Sequence, residues 1–221
     1  MKYEIKFDNG DPLIYDGQGY FLIDTGLPGS FSTTREIHFG GQVYPVGETC
    51  FNCNVDAINM HVDTPVIGAI GMNILSQYNV LIDYASGSID TDCNCDVLEG
   101  WTDEGSEAAD FGLVTTIQID GHPKRIILDT GAANSYLLPE LAQQFPLVGV
   151  IHDVSWNGSF TSPAHAFTFE CLGKKINATV GEMPSYVEDA RANNIVGVFG
   201  TVFFNNFKVI IDHGHHIYIH P

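Results

Sequence analysis

The chain carries one pattern twice, and this repetition constrains its fold more than any other feature. Val66–Ile89 reads VIGAIGMNILSQYNVLIDYASGSI, and Ile195–Ile219 reads IVGVFGTVFFNNFKVIIDHGHHIYI. Gly68 aligns with Gly197, Gly71 with Gly200 and Asp83 with Asp212, each pair 129 positions apart, so no gap separates these landmarks. Upstream, GYFLIDTGLPGS (19–30) matches RIILDTGAANS (125–135), with Asp24 falling on Asp129 and Ser30 on Ser135. In each copy an apolar strand runs into Asp-Thr-Gly. Further strands follow, then an apolar-apolar-Gly element, a short helix and a closing strand. Alternating or apolar runs bounded by Gly, Pro and Asn predict strands at Leu113–Ile119, Arg125–Leu128, His165–Cys171 and Val80–Ile82. Helical signals are brief: Pro139 is suited to open a helix through Phe145, and Asn73 to cap one through Tyr78. The prediction is a mainly β chain of two lobes, 1–97 and 113–221. The acidic, Gly-containing segment 98–112 reads as the linker between them.

The repeated motif has a chemical reading. Water attacks an amide poorly unless a base takes its proton while an acid supplies one to the carbonyl oxygen. Two carboxylates that share a proton can do both, because like charges held close cannot both ionise and the pair titrates as a unit. Such a pair needs one carboxylate from each of two equivalent loops, which a duplicated Asp-Thr-Gly supplies in Asp24 and Asp129. Gly26 and Gly131 permit a tight turn and close backbone approach. Thr25 and Thr130 are placed to hydrogen-bond across the pair. One such tripeptide arises by chance in roughly one chain in twenty of this length. Two copies, each after three apolar residues and each followed by a matching Gly element, are far harder to obtain that way.

These residues resemble the retropepsin and pepsin-like aspartic peptidases. Phe21–Ser30 and Ile126–Ser135 are similar to the catalytic loops of that family. Ala69-Ile70-Gly71 and Val198-Phe199-Gly200 are similar to its apolar-apolar-Gly element, which packs beneath the loop. The resemblance implies a bilobal acid-protease fold, two retropepsin-like lobes related by pseudo-two-fold symmetry. It also implies endopeptidase activity on extended peptides with no metal or organic cofactor. Chain termini in the family join an interlobe sheet, for which Lys2–Phe7 and His216–His220 are candidate strands. Each lobe has the size of one retroviral protease subunit, so a monomer suffices to build the site. The residue after each motif glycine is Leu27 or Ala132, where pepsins place Ser or Thr. Neither carboxylate gains that hydroxyl donor, which predicts a rate optimum at about pH 4–6 rather than a very acidic one.

The family closes a hairpin flap over its substrate, and chain length points to where it lies. Asp24 is 16 positions before Gly40, whereas Asp129 is 44 before Gly173, so the first copy lacks 28 residues of the second. The extra residues include Asn157-Gly158 between two strand-like runs, a strong hairpin-turn signal. A single flap is therefore expected in the C-terminal lobe, its tip at Trp156, Asn157, Gly158 and Ser159, with Trp156 covering the substrate. Pepsin-like enzymes carry theirs in the N-terminal lobe.

Composition narrows the partners. Nine Lys and Arg against 27 Asp and Glu give a net charge of −18. That argues against nucleic acid, whose phosphates need basic contacts, and against anionic membrane surfaces. It leaves a peptide or protein substrate. The charge serves solubility, or suits mildly acidic surroundings. No apolar run is long enough to span a membrane, and the polar Met1–Gly10 shows no signal peptide, which favours the cytoplasm. Cys50, Cys53, Cys93 and Cys95 could hold a structural zinc, pair as disulfides or remain reduced, while Cys171 reads as a core residue. His213, His215, His216 and His220 read as an exposed strand end. Two alternatives to the enzyme stand: a catalytically inactive peptide-binding module with the same fold, and a metal-dependent structural protein built on the clustered cysteines.

Overall fold

A computed structural model describes residues 1–51, 53–93, 100–103, 108–109, 112–155, 158–214 and 216–221. The chain is mainly β, with short helices at Val55–Asn59, Met72–Leu75, Pro139–Ala142, Val187–Ala192 and Thr201–Phe204. Three large sheets and one hairpin organise the strands. A five-stranded sheet runs in the order Lys6–Asp8, Asp11–Tyr15, Tyr20–Ile23, Val66–Ile70, Phe31–Ser32. An eight-stranded sheet runs Ala108–Ala109, Gly112–Ile119, His122–Leu128, Ile195–Phe199, Tyr136–Leu137, Lys174–Glu182, Gly158–Cys171, Leu147–Ser155.

The two copies pair their strands alike. Tyr20–Ile23 lies parallel to Val66–Ile70, with Phe21 opposite Gly68 and a register shift between Tyr20 and Phe21. His122–Leu128 lies parallel to Ile195–Phe199, with Ile126 opposite Gly197 and a shift between Arg125 and Ile126. Each glycine is where neighbouring backbone crowds in: a Cβ on Gly68 would meet Phe31 O at 2.2 Å, and one on Gly197 would meet Tyr136 O at 2.4 Å.

A six-stranded sheet joins the halves in the order Lys2–Glu4, Ser88–Asp90, Asn79–Asp83, Lys208–Asp212, His216–His220, Thr102–Asp103. At its centre Leu81 lies antiparallel to Ile210, its own counterpart in the 129-residue repeat. Both expected terminal strands reach this sheet, but the first is divided. Lys2–Glu4 joins it, while Lys6–Asp8 folds back onto Asp11–Tyr15 in the five-stranded sheet. One buried core runs through both halves, from Ile14, Phe21 and Ile23 to Phe199, Phe203 and Ile211. Burying each such side chain contributes about 1.5–3 kcal/mol. Cys171 is part of it.

Several local expectations shift. The helix assigned to Asn73 as its cap begins at Met72, with Gly71 as the cap, and ends at Leu75 rather than Tyr78. Asn73 Oδ1 instead accepts from Ser30 Oγ at 2.6 Å. Pro139 does open a helix, which stops at Ala142 because turns replace it before Phe145. The segment expected as a linker contributes short strands at Thr102–Asp103 and Ala108–Ala109. Cys50 and Cys53 are free thiols. Among the described residues no three His, Cys, Asp or Glu side chains gather as a metal site, and no helix is long and apolar enough to cross a membrane. Cys95, His215, Trp156, Asn157 and most of 98–112 lie outside the described residues.

Candidate active site

Asp24 follows the Tyr20–Ile23 strand and Asp129 follows His122–Leu128. Each is fixed through its main chain by the Gly element of its own copy: Asp24 N–H donates to Ile70 O at 3.0 Å and Asp129 N–H to Phe199 O at 2.9 Å. Each carboxylate then takes the amide of its motif glycine, Gly26 N–H to Asp24 Oδ1 and Gly131 N–H to Asp129 Oδ1, both at 2.9 Å.

The threonines bind the loops to each other. Thr25 N–H donates to Thr130 Oγ1 and Thr130 N–H to Thr25 Oγ1, both at 3.0 Å. Thr25 Oγ1 donates onward to Leu128 O at 2.9 Å and Thr130 Oγ1 to Ile23 O at 2.7 Å. Both threonines are fully buried, so each hydroxyl satisfies amides and carbonyls that water cannot reach. The glycines let the loops meet. A Cβ on Gly26 would lie 2.4 Å from the Asp129 carboxyl, and one on Gly131 would lie 2.6 Å from that of Asp24.

Gly71 and Gly200 pack against the motif loops of their own copies. Gly71 N–H donates to Ser30 Oγ at 2.8 Å and Gly200 N–H to Ser135 Oγ at 3.1 Å. The loop above leaves no room for a side chain: a Cβ on Gly71 would lie 2.5 Å from Leu27 O, and one on Gly200 1.7 Å from Ala132 O.

The two carboxyl groups lie close enough to perturb each other. Burial first, then the charge on Asp129, holds the Asp24 carboxyl well above the usual carboxylate range. Burial also raises Asp129, while the amides of Gly131 and Gly26 and the neighbouring Asp24 carboxyl hold it back. The pair is thus disposed to share one proton.

The expected flap region is a hairpin of Leu147–Ser155 and Gly158–Cys171, with Ser155 opposite Gly158. Gly158 has φ +104°, and Ser159 pairs with Val154. The hairpin is tied to the Asp129 loop through Asp153, which accepts Asn134 Nδ2 at 3.0 Å and the Tyr136 hydroxyl. In the first half no hairpin stands at this place among the described residues; Glu36–Phe39 with Gln42–Pro45, the counterpart of Gly158–Cys171 with Lys174–Glu182, turns at Gly40 and Gly41. That turn packs against Tyr3 and Tyr78, where Gly40 N–H donates to Tyr3 Oη at 2.8 Å. The segment after it instead brings Cys50 against Gly29, so that a Cβ there would lie 2.7 Å from Sγ.

Sequence reasoning missed three residues here. Asp153 and Tyr136 carry no local motif, and their contact depends on the hairpin's register. Asp11 is buried beside the pair, its pKa lifted to about 8 by burial and by the charges of Asp153, Asp129 and Asp8.

No family model matches this sequence, and no curated protein does. Among solved structures, the foamy viral protease-reverse transcriptase in complex with an RNA/DNA hybrid aligns with 38% of this chain at 14% identity and a TM-score of 0.31. The aligned part is 10% of that chain.

Proposed function

We propose that the chain is an aspartic endopeptidase in a bilobal acid-protease fold, two retropepsin-like lobes about a pseudo-two-fold axis. The observation that carries this reading is the meeting of the Asp24 and Asp129 carboxyls on loops cross-linked by reciprocal threonine hydrogen bonds. In this mechanism the ionised member of the pair takes a proton from water as its oxygen attacks the peptide carbonyl carbon, while the protonated member gives its proton to the carbonyl oxygen. The first then returns its proton to the amide nitrogen as the carbon–nitrogen bond breaks, and the second recovers one from the collapsing diol. A pair sharing one proton is the known behaviour of aspartic peptidase dyads, and the raised pKa values of both groups support it.

The substrate class is an extended peptide or protein, and one chain supplies both carboxylates. The Leu147–Ser155/Gly158–Cys171 hairpin is the flap, closing from the C-terminal lobe. Its tether to the Asp129 loop through Asp153 supports this assignment. Pepstatin-sensitive cleavage of a peptide library at mildly acidic pH is the direct test. Tight peptide binding without cleavage would favour the inactive peptide-binding module instead.

A further inference from the structure

The second half of the molecule has no equivalent of Asp11. Leu13 lies opposite Leu22, and two steps further this register sets Asp11 level with Asp24. Leu113 lies opposite Leu128, and one step further sets Gly112 level with Asp129. The two positions are counterparts, and each docks on the opposite loop. A Cβ on Gly10, just before Asp11, would lie 3.1 Å from Ala133 Cβ, and Gly10 O accepts from Thr201 Oγ1 at 3.0 Å. Gly112 has φ +102°, and a Cβ there would lie 2.9 Å from Thr25 O. One side of the carboxyl pair therefore carries a third carboxyl group, and the other carries no side chain.

Asp11 is also unsatisfied. Its side chain is 4% exposed, and Oδ2 is 3.5 Å from His61 Nε2. Oδ1 has no hydrogen-bond partner. Asp8, on the same turn, is fully used by the Asp63 and Thr64 amides and the Thr64 hydroxyl. The charges felt at Asp11 are those of Asp153, Asp129 and Asp8, all acidic. Such a carboxyl, buried beside a reaction centre with only His61 near Oδ2, leaves Oδ1 without a donor.

Resting on the dyad reading, we propose that Asp11 forms a subsite for a basic side chain of the substrate, a lysine or arginine on one side of the scissile bond. A basic side chain reaching Asp11 displaces the proton that the carboxyl otherwise holds, and Oδ1 accepts its hydrogen bond. In these surroundings the pairing is screened far less than on the surface. Asp153, on the Leu147–Ser155 strand, adds a second negative charge nearby. The net charge of −18 draws cationic peptides toward the molecule in the same sense. Because Gly112 replaces the acid on the other side, the preference falls on one substrate position and is not mirrored.

The test is a set of matched peptides in which lysine replaces norleucine at one position at a time on either side of the cleaved bond. Norleucine keeps the length of the side chain and removes its charge. The wild-type protein is expected to favour lysine roughly tenfold or more in kcat/KM at a single position. In Asp11→Asn the ratio of lysine to norleucine is expected to collapse toward one. Wild-type protein that cleaves the norleucine peptides without favouring lysine anywhere overturns this inference and leaves the dyad standing. Retention of the lysine preference by Asp11→Asn also overturns it. Failure to cleave any peptide removes the dyad reading and the inference with it. The wild-type comparison decides the matter alone if Asp11→Asn does not fold.

Discussion

The two halves agree where the loops meet and differ in what surrounds them. Around Asp24 and Asp129 the same bonds recur at nearly the same lengths, from the motif glycine amides to the reciprocal threonines. Beyond that shell the first half has a short hairpin set against Tyr3 and Tyr78, and a free Cys50–Cys53 turn. The second half has a long hairpin tied back to its own loop. The acid beside the pair stands on one side only. The bonds that hold the two carboxyls are the same in both halves. The parts around them are not.

The comparison can be broken first at the Gly elements. Gly200→Ala is expected to destabilise the protein by about 3 kcal/mol or more, because its Cβ has only backbone to meet. Gly71→Ala is expected to cost less, since its closest approach is 2.5 Å rather than 1.7 Å. Thermal unfolding of the two variants checks the order, and equal losses would show that the loops relax alike.

The threonines should behave as twins. Thr25→Val strands the Thr130 amide, and Thr130→Val strands the Thr25 amide. Each is expected to cost about 2–3 kcal/mol. The double variant should cost less than both together, because the bonds form one network. Denaturant titration measures all three, and strict additivity would contradict the reciprocal arrangement.

Asp11 sharpens the difference between the halves. Its folded pKa of about 8 lies above the ordinary value of 3.8. The folded state therefore holds this proton more tightly than the unfolded state. The penalty for ionising it is absent below about pH 4 and grows as pH rises toward about 8. Asp11→Asn should be more stable than wild type by roughly 1–3 kcal/mol at pH 7, and the gain should vanish near pH 4. A pH-independent difference in melting temperature would contradict this assignment.

The smallest expected effect concerns the hairpins. Trp156→Ala should lower kcat/KM about tenfold without changing the melting temperature. Val43→Ala, on the exposed hairpin of the first half, should leave kcat/KM within about twofold. Equal effects would remove the distinction between a lid and an ordinary surface hairpin.

Repetition explains what was legible from sequence. Asp24, Thr25 and Gly26, with Asp129, Thr130 and Gly131, are set by local backbone and recur as a unit, so reading one copy checked the other. Gly71 and Gly200 were legible for the same reason. The hairpin at Leu147–Cys171 was legible from length and its Asn-Gly pair. The short helix at Val55–Asn59 was missed although Asn54 caps it through the Ala57 amide, because five residues are too few to show a period. Asn73 was misread as a cap because its partner, Ser30, is 43 positions away. Asp11 had no signal at all. Its burial depends on a turn from the first half packing against Ala133 and Thr201 of the second, a contact no local pattern records.

The central claim is that Asp24 and Asp129 act as one catalytic pair. Turnover of a cleavable peptide by Asp24→Asn and by Asp129→Asn, each checked for folding by thermal unfolding, tests it most directly. Each variant is predicted to keep its fold and lose turnover by about a thousandfold or more, since each carboxyl has its own part in moving the proton. Near-normal turnover by either folded variant would contradict the account.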